Sequence, residues 1–218
     1  MNRLFFIGGL SATLTLAGCI GGLDKGPQYP HSPGFVPRNV YRPREVLGLR
    51  RVVLLPPYDT FANADRRQDL DRDFAAELNA TGRFEVVQIS RNELVALCGR
   101  DQINSTEPLP PRLAMALRGE YAAEAVMFVD ITQDDPYRPI TLGVRAKLVD
   151  ARGSLSILWS CDAVFNAGNP AVAASARRFQ LDAGRQEFPA DQDGSSVLLS
   201  PARFARYTAN AVFGTLPR

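Results

Sequence analysis

At 218 residues and 45% hydrophobic content, the chain can hold one globular domain with a real core, which excludes a wholly disordered or fibrous protein. Its 25 lysines and arginines against 23 aspartates and glutamates leave a formal charge of +2, too close to balance to mark a nucleic-acid binder. The charge is uneven: Ile20 to Arg51 carries Lys25, Arg38, Arg42, Arg44, Arg50 and Arg51 against Asp24 and Glu45, while the remainder is close to neutral.

The apolar run from Leu4 to Leu16 is shorter than the roughly 20 residues a bilayer-spanning helix needs, so residues 1–18 read as a signal peptide. The run ends in Leu16-Ala17-Gly18-Cys19, which resembles the lipobox of bacterial lipoproteins. That resemblance implies cleavage before Cys19 and acylation of both its sulfur and the new amino group. Several acyl chains anchor stably where one gives only marginal membrane binding. Ile20 stands where an aspartate would favour inner-membrane retention, so the resemblance implies the outer membrane, with the protein facing the periplasm.

Residues 19–50 are rich in Gly and Pro without helical or strand period and read as a flexible tether reaching at most about 100 Å. His31, the only histidine, falls in this tether, which excludes a histidine-based metal cluster or a Ser-His triad in the domain. Arg38, Arg42 and Arg44 flank Val40 and Tyr41; they either form a solvated linker or touch anionic head groups or cell-wall polymer.

Residues 51–218 read as a single mixed α/β domain of two or three layers, with a sheet of about five strands, flanking helices and a C-terminal β-hairpin. "RVVLLPP" (51–57) is an apolar run stopped by prolines, as in a buried strand. Ala64 to Ala80 places Leu70, Phe74 and Leu78 four residues apart, predicting an amphipathic helix whose Asp65, Asp69, Asp71 and Asp73 form a solvated face. A second strand covers 83–90. A short helix follows over Arg91–Cys98, with Ser90 and Glu93 in capping-box spacing. A further helix from about Arg112 to Tyr121 and a third strand over 124–132 come next.

The hairpin is the clearest element. Ile140, Leu142, Val144, Ala146 and Leu148 alternate with polar residues, and after "DARG" the odd positions Leu155 to Phe165 are apolar. Both sets share one face only if paired residue numbers sum to an odd value, so a four-residue loop at Asp150–Gly153 pairs Leu148 with Leu155 and Val144 with Trp159. Helices over Pro170–Phe179 and Pro201–Leu216 close the domain.

Recognisable catalytic chemistry is missing from the sequence: there is no G-x-S-x-G elbow, Walker loop, G-x-G-x-x-G or Cys-x-x-Cys. No cofactor, metal site or enzymatic activity is therefore expected. Asp134 and Asp135 before Pro136 are either a turn or a carboxylate pair for acid-base work. With Cys19 acylated, Cys98 and Cys161 remain as an even number in an oxidising compartment; they either pair or stay as buried thiols.

The order of elements after the lipobox resembles the small mixed α/β domain shared by outer-membrane assembly lipoproteins, the superfamily of the curli secretion channel, the penicillin-binding-protein activator and the pellicle-polysaccharide ring lipoprotein. "RVVLLPP", "TGRFEVVQISRNELVALC", "YAAEAVMFVDIT" and "RAKLVDARGSLSILWS" carry the resemblance, over roughly residues 51–165. It implies a non-enzymatic scaffold or regulator of a secretion or envelope-assembly complex, with protein partners, membrane lipid held through Cys19 and homo-oligomerisation. The chain lacks long alternating insertions for membrane-spanning hairpins, so a pore is not expected. The wet hairpin face around Arg145 and Lys147, together with the sheet edge, is the expected partner surface; charges there equally guard an edge against unwanted pairing. The competing expectation is an envelope enzyme or small-ligand binder with an unrecognised site.

Overall fold

A computed structural model describes residues 34–43, 48–153, 155–182 and 193–217. The signal peptide, Cys19 and residues 20–33 lie outside the described residues. The elements in chain order are β1 (Val40–Tyr41), β2 (Arg51–Leu54), α1 (Ala64–Ala80), β3 (Glu85–Gln88), α2 (Arg91–Cys98), α3 (Pro111–Gly119), β4 (Ala125–Asp135), β5 (Thr141–Asp150), β6 (Ile157–Asn166), α4 (Pro170–Leu181), a 3-10 turn (Ser195–Leu198) and α5 (Pro201–Phe213). The domain is mixed α/β. One six-stranded sheet runs in the order β1-β6-β5-β4-β2-β3, with β2 parallel to β3 and β4, and the other pairs antiparallel.

One face of the sheet carries the main core. Ala125, Met127 and Val129 of β4, Leu142, Val144, Ala146 and Leu148 of β5, and Trp159, Cys161 and Phe165 of β6 pack against Leu70, Phe74 and Leu78 of α1, Val172 and Ala176 of α4, and Phe204, Tyr207 and Val212 of α5. The other face buries Val53, Val126 and Phe128 under Leu94 of α2 and Leu113 and Leu117 of α3. That second cover lies over the β2 and β4 side only. The domain is therefore three layers thick there and two layers thick over β5 and β6.

The helix caps follow the sequence. Asn63 accepts from the Arg66 amide at the start of α1, and Ser90 and Glu93 form the reciprocal capping box of α2. The acidic face of α1 is not uniformly solvated as expected. Asp73 is buried beside α5, and Asp71 is half-buried in a bidentate pair with Arg91, both contacts at 2.8 Å. Neighbouring arginines make such burial tolerable where an unpaired carboxylate would neutralise.

The hairpin keeps the expected parity but shifts its register. Leu148 pairs with Trp159 and Val144 with Ala163, so both apolar sets share one face, whereas the expected pairs of Leu148 with Leu155 and Val144 with Trp159 do not form. The turn is longer because the Asp150 amide donates to the Ser156 carbonyl, and Asp150 Oδ1 accepts from both the amide and Nε of Arg152. Leu155 is left exposed at positive φ, and the register slips by one residue between Leu148 and Val149.

A bulge in β4 between Ile131 and Gln133 changes which residues face α1, so that Asp134 comes to pair with Leu142. Gly143 of β5 makes room for it: a Cβ there would meet Thr132 Oγ1 at 2.5 Å.

The segment expected as tether ends on the domain. Val40 pairs with Cys161 and Tyr41 with Ser160, making β1 an edge strand, and the Phe35 ring meets Phe165 edge-on with centroids 5.1 Å apart. The Phe35 amide also donates to Ser175 Oγ at 2.6 Å.

Candidate interaction surface

Alternation builds the bare half-face. In β5 the residues between the core-facing positions project away from α5, which sets Arg145 and Lys147 on the side that α2 and α3 leave open. Register then places Arg145 between Asp130 of β4 and Asp162 of β6, and Lys147 between Phe128 and Ser160. Arg145 Nε donates to Asp162 Oδ2 at 3.0 Å. Asp130 is only 2% exposed and accepts from the Ser105 amide at 2.9 Å and from the Ser105 hydroxyl. Lys147 Nζ closes the group by donating to the Ser105 carbonyl at 3.1 Å. Burial pushes the Asp130 carboxyl above its usual range, opposed by the Ser105 hydrogen bonds and then by Arg145 and Lys147.

Arg145 and Asp162 satisfy each other and Ser105 satisfies Asp130 and Lys147, so what the surface offers outward is chiefly its apolar rim. Leu155, Ile157 and Val164 are exposed along the hairpin. Two depressions flank the charged row. One, of about 200 Å³, lies between Leu109, Phe128, Lys147 and Ile157. The other, of about 660 Å³, runs along β6 between Phe35, Arg38, Asp162, Val164 and the start of α4. Both are open grooves with few polar groups, a form suited to a protein or lipid contact more than to an enclosed small ligand.

The structure brings Arg145 and Lys147 together on one face, as the alternation implied. It also places β5 inside the sheet, between β4 and β6, so these two residues are not edge guards. Cys98 and Cys161 are free thiols on opposite sides of the sheet, Cys98 against the α2–α3 core and Cys161 in the α1–α5 core, so the sheet separates them and the pairing left open above is not made. Burial pushes the Cys161 thiol up to about 11, leaving it protonated and poorly nucleophilic at neutral pH.

Asp134 and Asp135 are split by the backbone. Asp134 is held bidentately by Arg66 at 3.1 and 3.2 Å, while Asp135 Oδ1 accepts from the Tyr137 amide in a turn. Neither lines the two grooves. Among the described residues, no group of three or more His, Cys, Asp or Glu is arranged to hold a metal, and no helix is long and apolar enough to cross a membrane.

Sequence reasoning missed Asp130, Asp162 and Ser105. Asp130 had a signal, a lone carboxylate inside the apolar run "VMFVDIT". Ser105 had none, because its role depends on how the loop before α3 folds back across β4.

These features define a mixed α/β domain with one closed sheet face and one half-open one. No family model and no curated protein matches the chain. Among solved structures it is similar to a lipoprotein, GNA1162, from Neisseria meningitidis, at 17% identity over 53% of this chain and 79% of that one, with a TM-score of 0.39. It is also similar to the PelC dodecamer from Paraburkholderia phytofirmans, at 14% identity over 75% of this chain and 94% of that one, TM-score 0.39. A hypothetical protein from Chlamydia trachomatis matches at 15% identity over 61% and 84%, with a TM-score of 0.39. Likenesses at this level carry no functional argument.

Proposed function

We propose that this chain is a non-enzymatic lipoprotein of the bacterial outer membrane, facing the periplasm and anchored through acylated Cys19. It scaffolds or regulates a secretion or envelope-assembly complex through protein contacts, which include a second copy of itself. The observation that carries the reading is the half-bare sheet: a charge-balanced group, Asp130, Arg145, Lys147 and Asp162, bordered by exposed Leu155, Ile157 and Val164. Apolar side chains around a satisfied polar centre gain from burial against a partner without stranding a charge. The lipobox at residues 16–19 supports the anchor.

Two measurements test this. Mass spectrometry of the mature protein is expected to find Cys19 as an acylated N-terminus; an unmodified Cys19 or cleavage elsewhere rejects the anchor. Crosslinking in cells, followed by purification of the acylated protein, is expected to recover partners that Arg145→Glu with Lys147→Glu removes. A monomer in both crosslinking and light scattering, with partner recovery unchanged, rejects the surface and favours a ligand-binding or enzymatic role.

A further inference from the structure

The chain joins the domain at one corner. The 14 residues 20–33 separate Cys19 from Gly34, and Gly34 lines the larger groove beside β1. Fully extended, they hold Gly34 within about 50 Å of the sulfur of Cys19. This is half the span expected had the tether run to residue 50, because β1 and Phe35 fasten the chain to the sheet. The chain therefore enters the described domain beside the β1 edge, which is the part of the sheet closest along the chain to Cys19.

That edge has a particular composition. Val36 is 64% exposed and Tyr41 53% exposed, large side chains turned to solvent next to the entry point. Arg38 and Arg42 are exposed and make no ion pair among the described residues, unlike Arg51, Arg66, Arg91 and Arg145, which all do. Apolar and aromatic side chains interleaved with unpaired arginines match the two layers of a membrane interface. Tyrosine sits at the head-group level, and guanidinium groups meet phosphates bidentately. The edge strand itself is only two residues long, too short to template another strand, so its exposed side chains carry more of its character than its backbone does.

We propose that the β1 edge, with Val36, Arg38, Tyr41 and Arg42, is the membrane-facing surface of the domain and rests on anionic lipid head groups. This inference builds on the anchored reading above. It fixes an orientation: β1 towards the bilayer, and α3, over the opposite half of the sheet, away from it.

The test uses the full mature protein in vesicles of phosphatidylglycerol and phosphatidylethanolamine whose acyl chains are brominated. Tyr41→Trp is the reporter, Met115→Trp on exposed α3 is the control, and buried Trp159 is common to both. Emission from Tyr41→Trp is expected to be quenched at least twofold more than that from Met115→Trp. Equal quenching, or none, with acyl Cys19 found by mass spectrometry in the same sample overturns the orientation and leaves the anchor standing. If Cys19 is instead unmodified, the anchor reading fails and vesicle flotation decides the patch alone. With the unacylated Cys19→Ala chain, at about fivefold per arginine near an anionic surface, Arg38→Ala with Arg42→Ala is expected to lower partition into phosphatidylglycerol vesicles roughly thirtyfold. Partition that is absent, or indifferent to the two substitutions, overturns the proposal, as does retention on purified peptidoglycan in place of vesicles.

Discussion

The two faces of the sheet are made from the same strands yet solve different problems. On the α1, α4 and α5 side every strand from β2 to β6 contributes side chains to one continuous core that includes Trp159, Phe74, Phe165, Phe204 and Phe213, all fully buried. On the α2 and α3 side the cover stops after β4, and β5 and β6 present the partly exposed Arg145–Asp162 pair and Lys147 instead of a core. The first face supplies most of the free energy of folding through apolar burial. The second has half of its area left over, and leftover sheet area with a fixed pattern is available for recognition.

This contrast sets an order of expected effects. Trp159→Ala should be the most damaging, because it empties the closed face beneath α5 and strands the Thr215 carbonyl that the indole Nε1 now meets at 3.2 Å. The expected cost is about 3–5 kcal/mol. At about 2–4 °C per kcal/mol for a domain of this size, thermal unfolding should move down by roughly 10 °C. A shift under about 3 °C would mean that the closed face is not the stabilising one.

Gly143→Ala tests the bulge that reorients the end of β4. Its new Cβ meets Thr132 Oγ1, and overpacking of this kind costs about 1–3 kcal/mol. Adding Thr132→Ala should recover part of that loss in the same denaturation assay, since the atom at 2.5 Å is then gone while Gln133 Cβ and its amide nitrogen remain at 3.1 Å.

Asp73 gives a pH-dependent comparison. Burial, the first of its causes, raises its carboxyl above 3.8 despite Arg72, and Oδ2 finds no hydrogen-bond partner. A carboxyl raised in the folded state favours folding while protonated. Its contribution is therefore complete below the unfolded value and is lost as pH rises through the folded one. Asp73→Asn is thus expected to gain stability relative to the native chain at pH 7 and to lose that advantage near pH 4, read as two thermal melts. An advantage that grows on acidification would reverse the assignment.

The smallest effect on folding belongs to the open half. Arg145 and Asp162 are each about one-third exposed, and such pairs contribute within about 1 kcal/mol. Arg145→Ala should leave the melting temperature within roughly 3 °C while lowering partner recovery. A large fall in stability would turn the row into a structural element.

Much of the closed face was legible in the sequence because one period governs each of its parts: four-residue spacing in α1, strict alternation in β5 and β6, and cap residues at the start of α2. What escaped was decided between elements. The insertion of β4 between β2 and β5 is a topological choice with no local sign, and it moved Arg145 and Lys147 from an expected edge to the interior of the sheet. The side on which Cys98 sits depends on which face α2 covers, which no period in eight residues reveals. The spacing within α1 gives Asp73 a solvent-facing position because α5, its neighbour, lies about 130 residues on. Parity permits any odd pairing sum and so leaves the length of the hairpin turn open, and Asp150 selects the longer turn. Strand β1 is too short for periodicity, and its docking rests on contacts with Ser160, Cys161 and Phe165 far along the chain.

That small edge strand also has a mechanical meaning. Under the proposed Cys19 anchor, tension would load the described domain first at Phe35 and at the two residue pairs of β1, the shortest pairing in the sheet, and only afterwards at β2 in its interior. Peeling β1 away would release residues 34–50 into the lead and lengthen the maximum span from Cys19 to Arg51 to roughly 110 Å. Under the proposed anchor, β1 would thus act as a breakaway link, its two residue pairs yielding before the longer pairings of the sheet are strained.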